Sequence, residues 1–258
     1  TSALGFGLLA LAASTMHLGR PQYAFRAFIG LRHSWLSREI IAFGAFAKAA
    51  AIYAVCCWMF PESSWVPVIG WAVAVSGAIG VFCSAMIYAA TYREYWSLGR
   101  TLVKFTLTAA VLGVAATWLA ILVFGLSLDS VSAQHLAEEA GPPLVTTLLI
   151  AVTAKLVFAL AIFRHLLSRR HSPFKRSAQL LAGPLSNATF ARFAAGLLGG
   201  IVMPLFVLSE LNSGDIVQAS RVLPVGMLFA ACLVGEMLER FQFFAACASP
   251  RMPGRLSI

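Results

Sequence analysis

The segment TLVKFTLTAAVLGVAATWLAILVFGL, residues 101–126, has Lys104 as its only charged side chain. A helix needs about 20 such residues, at 1.5 Å rise each, to cross the hydrocarbon core of a bilayer. A transmembrane strand is shorter and alternates in polarity. The run therefore predicts a membrane-spanning helix. Further apolar runs lie at 1–16, 38–60, 65–89, 143–167, 188–210 and 219–246. Helix breakers separate them: Pro61, Pro67, Gly141-Pro142-Pro143, Gly183-Pro184 and Gly214. The whole chain is 60% hydrophobic and 11% charged, with a mean hydropathy of +0.83. A soluble domain carries about 25% charged residues. The predicted fold is an all-α integral membrane protein, a bundle of seven transmembrane helices forming one domain over residues 1–258. The chain opens inside an apolar run, which points to residues preceding Thr1 rather than to a cleaved leader.

Charge gives the orientation. About 16 of the 19 lysines and arginines fall on one set of connections and helix ends. They are Arg20, Arg26, Arg32, Arg38, Arg93, Arg100, Lys104, Arg164, Arg169, Arg170, Lys175, Arg176, Arg192, Arg240, Arg251 and Arg255. The opposite set holds Glu62, Asp129, Glu138, Glu139, Glu210 and Asp215, with Arg221 as its one base. The positive-inside rule makes the basic side cytoplasmic, and the C-terminus with it. Contact with anionic lipid headgroups accounts for most of these bases. A docking surface for a soluble partner would use the same residues. The five cysteines form no CxxC pair and read as small apolar residues.

No phosphate-binding glycine loop, HExxH or nucleophile elbow is present. The candidates for chemistry are ionisable groups at or inside the membrane. The connection STMHLGRPQYAFRAFIGLRHSWLSREII, residues 14–41, brings His17, Arg26, Trp35, Arg38 and Glu39 to one face. A carboxylate at the mouth of a membrane helix needs a partner or a task. His17 and Glu39 make a proton-handling pair at the same depth. His17 alone could instead cap a helix end, and Trp35 alone could be an interfacial anchor. Glu236 lies inside the last run, with Arg240 one turn on. Lys48 and Lys155 fall near the membrane centre; each is a candidate for function or for a buried ion pair or snorkelling contact. His17, His33, His165, His171 and His135 lie at edges or in connections, which disfavours a haem held between helices.

The run MHLGRPQYAFRAFIGLRHSWLSREI resembles the membrane-anchor subunits of the dimethyl sulfoxide reductase family. The likeness rests on His17, Leu18, Gly19 and Pro21, on Ser37 to Glu39, and more weakly on Gly235, Glu236, Arg240, Phe243 and Phe244. The resemblance implies eight transmembrane helices, so that the family's first helix would precede Thr1. It implies no haem and a bound quinone, ubiquinone or menaquinone, with His17 and Glu39 as its contacts. Iron–sulfur clusters and molybdopterin would reside only in partner subunits, a four-cluster ferredoxin-like protein and a molybdopterin catalytic subunit. The family's closing aromatic, commonly Tyr, is Phe244 here, so a hydroxyl contact is lost.

The expected function is a quinone-binding anchor of a molybdopterin/iron–sulfur oxidoreductase in the bacterial inner membrane, multi-pass, with its partners on the cytoplasmic side. His17, Glu39 and Arg38 would handle quinone and protons. Arg26, Trp35, Glu236 and Arg240 would support them. A cytoplasmic face for the partners resembles the sulfite dehydrogenases of the family and favours quinone reduction over quinol oxidation. The rival expectation from another class is a secondary transporter using Lys48, Lys155 and Glu236, although no internal repeat supports it. A purely structural anchor without a ligand is the third.

Overall fold

The computed structural model describes residues 5, 29–128, 131–212 and 218–247. Among them every regular element is helical. The helices are α1 (Trp35–Met59), α2 (Trp65–Ala89), α3 (Leu98–Leu128), α4 (Val131–Leu160), α5 (Pro173–Ala182), α6 (Ser186–Leu197), α7 (Met203–Asn212) and α8 (Gln218–Ala245). Six stretches are long and apolar enough to cross a membrane: Trp35–Met59, Trp65–Ala89, Leu98–Gly125, Glu139–Leu167, Ser186–Ser209 and Val222–Ala245. They match six of the seven expected spans to within a few residues. The seventh, at 1–16, lies outside the described residues, as does Gly214.

Two local departures have physical causes. Gly141-Pro142-Pro143 reads as a break in sequence, yet α4 runs through both prolines. Membrane helices tolerate proline where nearby groups satisfy the backbone. Here the Thr146 and Thr147 hydroxyls donate to the carbonyls of Pro142 and Pro143, at 2.9 and 2.7 Å. The span Ser186–Ser209 is likewise not one regular helix. A π turn, Leu198–Val202, joins α6 to α7, and the Met203 N–H donates five residues back to Leu198. Other signals act as expected. Ser34 caps α1 by accepting from the Ser37 N–H. Ser172 caps α5 ahead of Pro173. Gly183-Pro184 separates α5 from α6.

The chain forms two compact units, residues 1–92 with 96–102, and residues 93–95 with 103–258. In the first, α1 and α2 pair as an antiparallel hairpin. Aromatic side chains of α1 lie over glycines of α2: Phe43 on Gly80, Phe46 on Gly77, Tyr53 on Gly70. In the second unit a core stripe repeats at three- and four-residue intervals. Val111, Ala115, Trp118 and Leu122 of α3 meet Val145, Leu148 and Val152 of α4, and Val225, Leu228 and Cys232 of α8.

Small residues let α6 approach its neighbours closely, as membrane helix contacts generally require. A Cβ on Gly199 would stand 2.8 Å from both the Cys232 backbone nitrogen and the Ala231 Cβ. Backbone cannot yield as a side chain can. Gly199→Ala is therefore expected to destabilise the second unit by about 1–3 kcal/mol through overpacking. Gly113 has open space around it, so Gly113→Ala should be neutral or stabilising. Thermal melts of the detergent-purified protein check both.

Candidate functional site: two carboxylate centres in membrane spans

In the first unit Glu39 sits in the opening turns of α1, half-buried. Its Oε1 accepts a hydrogen bond from the Ser84 hydroxyl of α2. Among the described residues it forms no ion pair. Arg38 does not pair with it. Arg38 instead binds the preceding turn, its Nε donating to the Leu31 carbonyl at 3.0 Å and its Nη2 to that of Arg32 at 2.9 Å. Its guanidinium also lies 4.1 Å from the centroid of Trp35. Trp35 in turn meets Phe82 edge-on, with centroids 6.2 Å apart. Through these contacts Arg38 shapes the segment leading into α1. His17 and Arg26 lie outside the described residues.

The second unit holds a larger cluster. The core stripes of α3, α4 and α8 continue, in the same register, into polar residues. Lys104 and Thr108 follow on α3, Lys155 on α4, Glu236 and Glu239 on α8. Lys155 forms ion pairs with both Glu236 and Glu239, the latter at 2.7 Å. Its ammonium also donates to the Thr108 hydroxyl at 2.6 Å, and that hydroxyl donates to Glu236 Oε2 at 2.7 Å. Arg192 of α6 pairs with Glu239 at 3.2 Å and donates to Gln242 Oε1 at 3.2 Å. Gln242 then donates to Thr189 at 3.1 Å. Lys155 and Glu239 are each only 5% exposed. Among these partners a charge deep in a membrane span is compensated rather than isolated.

At the edge of the cluster, cations rest on aromatic faces. Lys104 lies 4.9 Å from the Tyr95 centroid, and Arg240 lies 4.0 Å from that of Phe105. The sequence placed Lys104 and Arg192 with the bases of the connections, but both are buried within helices. It also missed Glu239 and Gln242. The signal was available, since Glu239 follows Glu236 by three residues on the face that carries Cys232 and Leu228. Of the intramembrane lysines, Lys155 is a buried ion-pair residue, whereas Lys48 is exposed on α1. Among the described residues no three His, Cys, Asp or Glu side chains are grouped to hold a metal ion.

Comparison with known families decides the setting of these centres. The model of the DMSO reductase anchor subunit (DmsC) matches residues 3–246. The chain belongs to this family. It is similar to the sulfite dehydrogenase C-subunit of Allochromatium vinosum, at 28% identity over 282 residues, spanning 93% of this chain and 80% of that protein. No solved structure matches it. The protein is thus a multi-pass membrane anchor of an oxidoreductase complex. Membership in an anchor family leaves the stand-alone transporter reading without support.

The cluster of this anchor subunit makes a stability prediction. Glu239→Leu leaves Arg192 buried beside an apolar side chain, and removing one partner of a buried pair costs about 3–5 kcal/mol. The double variant Glu239→Leu/Arg192→Leu should recover most of that loss. Thermal midpoints in detergent, compared as a double-mutant cycle, measure it.

Proposed function

We propose that this anchor subunit exchanges electrons with the quinone pool, ubiquinone or menaquinone, through a site formed by His17 and Glu39. The observation that carries the reading is Glu39: a carboxylate in a membrane span whose polar partner among the described residues is a neutral hydroxyl. An acid held by a hydroxyl rather than by a base can gain and lose a proton without breaking an ion pair. Trp35 and Phe82 supply aromatic surface on the same hairpin, suited to a flat apolar ring. A bound quinone supplies two-electron redox chemistry coupled to two protons. The chain supplies position and protons. His17 would hydrogen-bond a ring oxygen, and Glu39 would exchange a proton with it directly or through water. Arg38 would fix the approach to α1, with Arg26 supporting the same face.

The partners in this reading are a four-cluster ferredoxin-like iron–sulfur subunit and a molybdopterin catalytic subunit. They would sit on the cytoplasmic side of a bacterial inner membrane, with the C-terminus on that side too. The asymmetry of lysine and arginine supports this sidedness, and family membership supports the kind of partner. A sulfite dehydrogenase subunit among the relatives favours quinone reduction over quinol oxidation.

In the intact complex, His17→Ala and Glu39→Gln should each lower quinone-linked turnover by about 100-fold or more, the scale of lost general acid–base catalysis. Dye-linked turnover of the catalytic subunits should persist. Ser84→Ala removes one hydrogen bond to a charged group, worth about 1.5–3 kcal/mol, and should slow quinone-linked turnover about tenfold. Normal coupling in both the His17 and Glu39 variants would sink the assignment.

A further inference from the structure

The Lys155 cluster holds more than a structural clasp requires. A clasp needs no space for solvent. Lys155 contacts two carboxylates, Glu236 and Glu239, and shares the second with Arg192. Two small cavities adjoin the cluster, and Glu236 lines both. One offers room of about 20 Å³ and is also bounded by Lys155, Arg192 and Cys232. The other offers about 10 Å³ and is also bounded by Lys104, Thr108, Glu239 and Arg240. A water needs roughly 10–15 Å³ and two to four polar partners. The first cavity exceeds that volume and the second lies at its lower limit. Each presents at least three charged or hydroxyl groups. The π turn beginning at Leu198 lies in the helix that delivers Arg192, and such turns recur at functional sites.

We propose that Glu236 is an internal proton-exchange site, a carboxylate that passes protons between two hydrated cavities inside the membrane. In the inward step a hydronium in one cavity gives its proton to a Glu236 carboxylate oxygen, forming an O–H bond and leaving water. Lys155 loses one anionic partner but keeps the other, Glu239, which Arg192 holds from the opposite side. The carboxyl O–H can then donate to the Thr108 oxygen or to water. In the outward step that bond breaks, the proton passes to water in the second cavity, and Lys155 again pairs with both carboxylates. One proton enters, one leaves, and no electron moves. The charged and hydroxyl groups facing Glu236 are Lys104 and Thr108 from α3, Lys155 from α4, Arg192 from α6, and Glu239 and Arg240 from α8. The inference needs no quinone, because every group in it belongs to the second unit.

The test is infrared difference spectroscopy on the intact complex in lipid nanodiscs, with glutamate carbon-13 labelled and no quinone added. Cycling the buffer pH, within the range where the complex stays assembled, should raise and remove a protonated-carboxyl band. That band should be absent in Glu236→Gln and shifted in Glu236→Asp. A band unchanged in Glu236→Gln, or no reversible band in the wild-type complex, overturns the proposal. The paired variant Lys155→Met/Glu236→Leu gives an independent reading, since an apolar pair replaces a structural clasp well but carries no proton. Assembly of this variant without the reversible band supports the proposal, whereas assembly with the band unchanged overturns it. Should neither variant assemble, Glu236→Asp decides, since a band that does not shift in it overturns the proposal. If the band behaves as expected while wild-type complex shows no quinone-linked turnover, the exchange site stands and the quinone assignment falls.

Discussion

A charge inside a bilayer must be paired within the protein, and that requirement organises the second unit. On insertion scales a lysine at the centre of a membrane helix costs about 2.5–3.5 kcal/mol. Lys155 meets that cost with two carboxylates and a hydroxyl. The solution is not local to α4. It requires α8 to present Glu236 and Glu239 on the face that continues its apolar stripe, and α3 to present Thr108 at the matching level. Glu239 then requires Arg192, which fixes the rotation of α6. Four helices are thus held in register by groups that would each be destabilising alone. Apolar packing between Trp118, Leu148 and Leu228 is non-directional by comparison.

The two carboxylate centres show how surroundings separate residues of one chemical type. Glu39 faces a hydroxyl, with its nearest arginine in sequence turned to backbone carbonyls. Glu236 faces an ammonium, a hydroxyl and a second carboxylate. The first arrangement leaves the carboxyl without an ion-pair partner among the described residues. The second makes it part of a charge-balanced set, where a change at one member is felt by all the others.

Hydropathy made the spans from α1 to α8 legible, because a run of about 20 apolar residues has few other stable destinations. It could not show that α4 continues through Pro142 and Pro143, since the threonine hydroxyls that make this tolerable act through geometry. Counting bases by side also misjudged Lys104 and Arg192. A cation close to a span boundary looks the same in sequence whether it faces headgroups or turns inward. What distinguishes them is register. Lys104 stands seven residues before Val111, and that core stripe continues to Trp118. Glu239 was missed for the same reason, although its spacing from Glu236 and Cys232 places all three on one helical face. The likeness at residues 17–39 conveyed the family because that segment is chemically unusual. The Lys155 cluster is spread over four helices and leaves no contiguous motif.

Glycine connects these levels. Arg192 reaches Glu239 at 3.2 Å only because α6 lies close against α8. That approach is permitted at Gly235, where an added Cβ would stand 3.6 Å from Ala195 and from the Gly196 backbone. It tightens at Gly199, against Ala231 and Cys232. The π turn that contains Gly199 admits an extra residue to the helical circuit and shifts the register of α7 relative to α6. Val207 nevertheless returns to the apolar core on α7. The small residues of α6 therefore do not merely fill space. They set the distance at which an arginine and a carboxylate can neutralise each other inside the bilayer. The charged cluster in turn rewards that close approach, so the packing and the electrostatics of this unit are one constraint expressed twice.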